Sequence, residues 1–260
     1  MSAASTPRWR TGSRLAQAAA VLGAALAVAA LLLLAAGPIG WRAGWWHYRV
    51  GLRTLLPDAG YVGLAAIAVS ALALVLAAAR GATRRGVVLA VLGLLIGGVA
   101  AYFPWHWNNL RGVYPSFNDI TTDIDNPPSL AFSEAARRAE HASSAAYGGP
   151  GVAAQQKKSY PDIAPAMLDL SPTQAFEKAL AAAKSQGWTI VKTDPEAGTI
   201  DAGDRSRWFG FTDDIAIRVT PEGKGSRIDI RSAARQGRSD FGVNAARVRR
   251  YLAALRAAGG

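Results

Sequence analysis

Three arginines lie close together near the C-terminus, in Arg231-Ser232-Ala-Ala-Arg235-Gln-Gly-Arg238, and Ser239 and Asp240 follow at once. Asn244 and Arg247 come next, at helical spacing from Asp240. Guanidinium forks match carboxylates and phosphates, and a helix starting at Asp240 offers free N–H groups beside them. The chemistry this suits is anion binding. A phosphate, a carboxylate or a lipid headgroup would be held by Arg231, Ser232, Arg235, Arg238, Asp240, Asn244 and Arg247. In the competing reading Asp240 caps the helix, and the arginines are solvated or paired with nearby acids.

A second candidate is Asp213-Asp214, between Phe211 and Ile215. Phe209, Phe211, Ile215, Ile217 and Val219 occupy odd positions of a strand, so the same register turns Asp213 into the core. A buried carboxylate needs a partner or a proton. Either a bulge turns Asp213 outward, or it pairs with an arginine such as Arg235. Two adjacent acids can also hold a cation, but no third ligand is evident and no metal is expected. Asp240, Asn244, Arg247 and Tyr251 form a polar stripe that faces either solvent or the end of the sheet. Trp208-Phe-Gly-Phe211 suits a pocket wall or the core.

Other chemistries find no support. The chain has no cysteine, and His47, His106 and His141 share no ligand spacing. No nucleophile–base–acid set and no phosphate-loop glycine pattern occurs, so no cofactor is expected and an enzyme is the less favoured class. The enzymatic alternative is a carboxylate site using Asp213, Asp214 or Asp240 as acid or base.

The elements that must position these residues read as an α+β domain. Ser171-Pro-Thr-Gln174 is a capping box opening a helix that Gly187 ends. Trp188–Thr193, Thr199–Asp204, Phe209–Thr220 and Ser226–Ala234 read as four antiparallel strands. Pairing residues whose numbers sum to 447 sets Ile217 against Ile230 and Arg218 against Asp229, so apolar and charged partners agree. Phe241, Ala245, Val248, Leu252 and Leu255 stripe a final helix. The helices are expected on one face of the sheet. Before this, residues 119–130 read as extended chain, Ser133–Ala146 as a polar surface helix, and Tyr147-Gly-Gly-Pro-Gly151 as a breaker.

The first 104 residues are of another kind. Leu15–Ala36, Tyr61–Ala79 and Val87–Phe103 are apolar runs long enough for transmembrane helices, leaving 105–260 as the soluble domain. The first run exceeds a signal-peptide core and is expected to remain as an anchor. Trp9, Trp41, Trp45, Trp46, Trp105 and Trp107 sit near the run ends, as interfacial belts do. Trp41–Leu56 reads either as an interfacial segment or as an ordinary loop. Residues 1–104 hold nine Arg, no Lys and one acid, Asp58, which accounts for most of the formal net charge of +11. The basic excess therefore belongs to the bilayer and not to nucleic acid.

Orientation follows from the flanking arginines. Arg8, Arg10, Arg14, Arg80, Arg84 and Arg85 share one side; Arg42, Arg49, Arg53 and Arg111 share the other. The richer side is read as cytoplasmic. Three crossings then place the C-terminal domain in the periplasm of a bacterial inner (plasma) membrane.

Five stretches together resemble the family called domain of unknown function 1499. They are Tyr160-Pro-Asp-Ile-Ala-Pro165, Gly187-Trp188, Phe209–Arg218, Gly225–Ser232 and Ser239-Asp-Phe-Gly-Val-Asn244. The likeness runs from about Asn118 to Leu255, and membrane segments commonly precede this domain in the family. The resemblance implies no activity, ligand or catalytic residue. The residues themselves favour a membrane-anchored module that binds an anionic ligand, a lipid or a partner protein. A carboxylate-dependent enzyme and a structural subunit of a membrane complex are the alternatives.

Overall fold

A computed structural model describes residues 13–257. The tail residues Arg8, Trp9 and Arg10 lie outside it. The chain divides into two compact units, Met1–Leu110 and Arg111–Gly260.

The first unit holds three helices long and apolar enough to cross a membrane: Arg14–Arg42, Tyr48–Arg80 and Arg84–Val113. We label α1 (Arg14–Arg42), the single turn α2 (Tyr48–Val50), α3 (Leu56–Arg80) and α4 (Arg84–Val113). A π-helical turn at Gly51–Leu55 joins α2 to α3, so much of the Trp41–Leu56 stretch is helix and not loop. These helices meet through close packing of small residues, as membrane-spanning helices do. Ala20, Ala73 and Ala90 meet at one level. A Cβ on Gly63 would lie 2.8 Å from the Gly97 carbonyl oxygen, and one on Gly97 would lie 2.8 Å from that of Gly63. Ser70 is fully buried beside Gly23 and Gly93, and its hydroxyl has no hydrogen-bond partner.

The second unit is α+β. Its strands are β1 (Asp119–Thr121), β2 (Ala166–Leu168), β3 (Thr189–Asp194), β4 (Thr199–Arg205), β5 (Thr212–Glu222) and β6 (Gly225–Ala234). The expected four-strand sheet has six strands, in the order β1-β6-β5-β4-β3, with β2 also on β6. The two additional strands, β1 and β2, are three residues each, too short to display alternation. They lie end to end along the same edge of β6, against residues 231–233 and 226–228. The β5–β6 register is the expected one, with Ile217 against Ile230 and Arg218 against Asp229.

The remaining helices are α5 (Glu134–Ala139), α6 (Gly149–Ser159), α7 (Pro172–Ser185) and α8 (Val243–Ala257). The capping box at Ser171 and Gln174 opens α7. The main core lies between α7, α8 and one sheet face, where Phe176, Ile200, Ile215, Ile217, Ile228, Ile230, Val248 and Leu255 are buried together. The other face is covered as well. There Leu130 and Ala145 pack on Ala216 and Ala233, so the 122–146 stretch forms a third layer opposite the α7 and α8 face. The Gln156 side chain on α6 closes the outer edge of β1. It accepts from the Thr121 N–H at 3.0 Å and donates to the Thr121 carbonyl at 2.6 Å, in place of a further strand.

Candidate functional site

Strand alternation decides where each sequence-derived residue points. On β5 and β6, Asp213 and Ser232 share the α8 face with Ile215 and Ile230, whereas Asp214, Arg231 and Arg235 share the opposite face with Ala216 and Ala233. The proposed arginine cluster is therefore divided by the sheet into two networks.

On the α8 face the centre is Arg247, which is 3% exposed. Its guanidinium donates to Asp204 at 3.0 Å, to Asp213 at 2.7 Å, to Ser232 Oγ at 3.0 Å and to Asn244 Oδ1. Ser232 Oγ in turn donates to Asn244 Oδ1 at 2.6 Å, and Asn244 Nδ2 donates to the Asn118 carbonyl at 2.9 Å. Asp240 accepts from the N–H groups of Gly242 at 2.9 Å and Asn244 at 2.6 Å, and so caps the entry to α8. Between them Phe241 has φ 53°, an uncommon conformation for a residue with a side chain. The polar stripe on α8 thus faces the sheet: Asn244, Arg247 and Tyr251 are all buried. Asp213 does face inward without a bulge, but its partner is Arg247 and not Arg235. Burial pushes its carboxyl above the usual aspartate value; Arg247 pulls it down, and Asp240 and Asp204 add to the rise.

On the opposite face Asp214 is fully buried between two arginines. Arg137 Nε donates to it at 2.7 Å, and Arg235 Nη2 at 2.7 Å. Arg235 also reaches Glu140 at 2.6 Å, and Arg137 donates to the Ala233 carbonyl at 3.0 Å. Arg231 holds Asp119 with two parallel bonds of 2.9 and 2.7 Å and donates to the Ala145 carbonyl at 3.0 Å. Its guanidinium lies over the Tyr147 ring at 5.3 Å. Burial, and after it the Asp119 charge, pushes the Tyr147 hydroxyl up to about 12. Farther along the same face, Arg218 and Arg227 share Asp123 and Asp229 at 2.9 to 3.2 Å. Five arginines and five acids thus stitch the third layer to the sheet.

Arg238 belongs to neither network. It is exposed and makes no ion pair among the described residues. Arg137 is the member that sequence reading missed. Its short helix looks like surface helix because its buried face carries an arginine, which is 2% exposed. Among the described residues no group of three or more His, Cys, Asp or Glu could hold a metal ion.

The N-terminal unit holds three long apolar helices, and the C-terminal unit a sheet covered on both faces. The class this defines is a protein with three apolar N-terminal helices and an α+β domain. The family model described as protein of unknown function (DUF1499) matches residues 119–255, and the chain belongs to that family. The match starts at the partner of Arg231 and ends at the core residue Leu255, enclosing every charged member of both networks. No curated protein matches the chain.

Proposed function

We propose that this is a non-enzymatic interaction module anchored in a bacterial inner membrane. Its N-terminus is cytoplasmic, its α+β domain periplasmic, and its partner a membrane protein. One observation carries the reading: Arg231, Arg235 and Arg247 already hold internal carboxylates. An anionic ligand at any of them must displace Asp119, Asp214 or Asp213. Removing one member of a buried pair costs about 3–5 kcal/mol, so a free anion competes poorly. The charge of these arginines supports the fold, and contact with an anion or lipid headgroup falls to exposed Arg238. The orientation rests on the flanking arginines.

The test is purification of the full chain from native membranes in mild detergent, with crosslinking before extraction. A stoichiometric partner whose crosslinks map to the α+β domain supports the module. A chain recovered alone, whose melting temperature rises with added phosphate, supports a small-anion binder instead.

A second reading has its own observation. Asp213 is mostly buried, with a raised carboxyl, beside the more exposed Asp204, and carboxylates in unlike environments can divide acid and base roles. A carboxylate-dependent enzyme predicts turnover of some substrate that is pH-dependent and abolished by Asp213→Asn. Activity that survives this replacement sinks it.

A further inference from the structure

The N-terminal end of α1 is joined to the α3–α4 turn by a small polar lattice. Ser13 caps α1 through the Ala16 N–H, and its own N–H donates to the Gly81 carbonyl at 3.1 Å. Thr83 Oγ1 accepts from the Gly86 N–H at 3.1 Å and donates to Gln17 Oε1 at 2.7 Å. With its oxygen occupied in this way, Gln17 keeps its amide N–H groups for another acceptor. An open groove of about 630 Å³ begins at this lattice. Arg14, Gln17 and Thr83 form its polar end, and Val21, Leu22 and Ala25 line its apolar length along one face of α1.

The charge around the polar end is one-sided. Arg14, Arg80, Arg84 and Arg85 lie at this end of the three helices, and none of them forms an ion pair among the described residues. The one acid of the first 104 residues, Asp58, lies at the other end of α3. A basic end beside an open apolar groove on one face of α1 matches an amphiphile with an anionic head and an acyl chain. The amide N–H groups of Gln17 suit the ester oxygens below a phosphate, and the Thr83 hydroxyl, donating to Gln17 Oε1, orients that amide.

We propose that this groove is a specific site for an anionic phospholipid, with the phosphate on Arg14, its ester oxygens on Gln17 and one acyl chain against Val21, Leu22 and Ala25. The site is independent of the α+β domain and of the partner proposed for it. Binding here would secure the α1–α4 end of the anchor in a leaflet rich in acidic lipid.

Native mass spectrometry of the delipidated full chain in detergent tests this, with phosphatidylglycerol and phosphatidylcholine added at equal concentration. The expected result is preferential retention of phosphatidylglycerol. Arg14→Gln should lower that retention about fivefold, from the usual contribution of one arginine at an anionic surface. Arg14→Lys should keep most of it, Val21→Trp should fill the groove and lower it, and Arg53→Gln at the other end should change nothing. Millimolar inorganic phosphate should not compete, because it lacks the acyl chain. Equal retention of the two lipids, or equal loss in the Arg14 and Arg53 variants, overturns the proposal. Circular dichroism of each variant separates loss of binding from loss of helix.

Discussion

Asp213 and Asp214 are neighbours in the chain, yet their carboxylates lie on opposite faces of the sheet and answer to different arginines. Arg247 on α8 meets Asp213 at 2.7 Å; Arg137 and Arg235 meet Asp214 at 2.7 Å each from the other side. What reads in sequence as one acidic pair beside one basic cluster is two internal networks. Each fastens a different layer to the same strands.

The Asp214 network should be costly to break. Asp214→Ala leaves Arg137 buried without its carboxylate, and should destabilise the domain by about 3–5 kcal/mol. Arg249→Ala removes the exposed pair with Asp162 and should cost less than about 1 kcal/mol. Denaturant unfolding of the two variants compares them directly. Equal effects would contradict the distinction between buried and exposed pairs.

The pH dependence at Asp213 has a definite sign. Its folded carboxyl is raised above the usual value, with burial outweighing Arg247 and with Asp204 and Asp240 adding to the rise. The folded state therefore binds its proton more tightly than the unfolded state, and this contribution to stability is lost as pH rises through the raised value. Asparagine does not titrate. The stability of the native chain relative to Asp213→Asn should fall with increasing pH, from just above the ordinary aspartate range. A rise over that window would mean that Arg247 outweighs burial.

Much of the domain is legible in its sequence, for identifiable reasons. The β5–β6 register follows from long period-2 alternation, and α7 announces itself through Ser171 and Gln174. The apolar stripe of α8 likewise predicts its buried face. Elements that lack a hydrophobic period stay hidden. β1 and β2 are three-residue edge strands, and α6 starts inside a Gly-Gly-Pro breaker and contributes a buried Gln156. The candidate site was legible as a set of residue types and not as an arrangement. Strand parity separates Arg231 from Ser232, but only the tertiary fold brings Arg137 and Asp119, 77 and 112 residues away, to the partners they neutralise.

On α4, Gly97 and Gly98 are adjacent but differ in what a methyl group would meet. At Gly97 it would press on the Gly63 carbonyl, whereas at Gly98 nothing lies within 4 Å. Gly97→Ala should weaken the packing of α3 on α4 and lower the melting temperature of the detergent-solubilised chain. Gly98→Ala should leave it unchanged or slightly raised, because alanine favours helix. Identical melting of the two variants would count against the close helix approach.

The proposed orientation predicts that alkaline phosphatase fused to the C-terminus is active in a bacterial host, since that enzyme matures only in the periplasm. A reporter that is active only in the cytoplasm should be silent at the same position. The reverse pattern would invert the topology.

The most direct test of the central claim is a thermal melt of the full chain and its Arg231→Ala variant, each with and without phosphate. Arg231 is buried against Asp119 and joins the 122–146 layer to β6 through the Ala145 carbonyl. If its charge is committed to the fold, Arg231→Ala should lower the melting temperature by about 10 °C, and phosphate should leave both proteins unmoved. A variant that melts with the native chain, together with phosphate stabilisation that depends on Arg231, would contradict the claim and return the arginines to an external ligand.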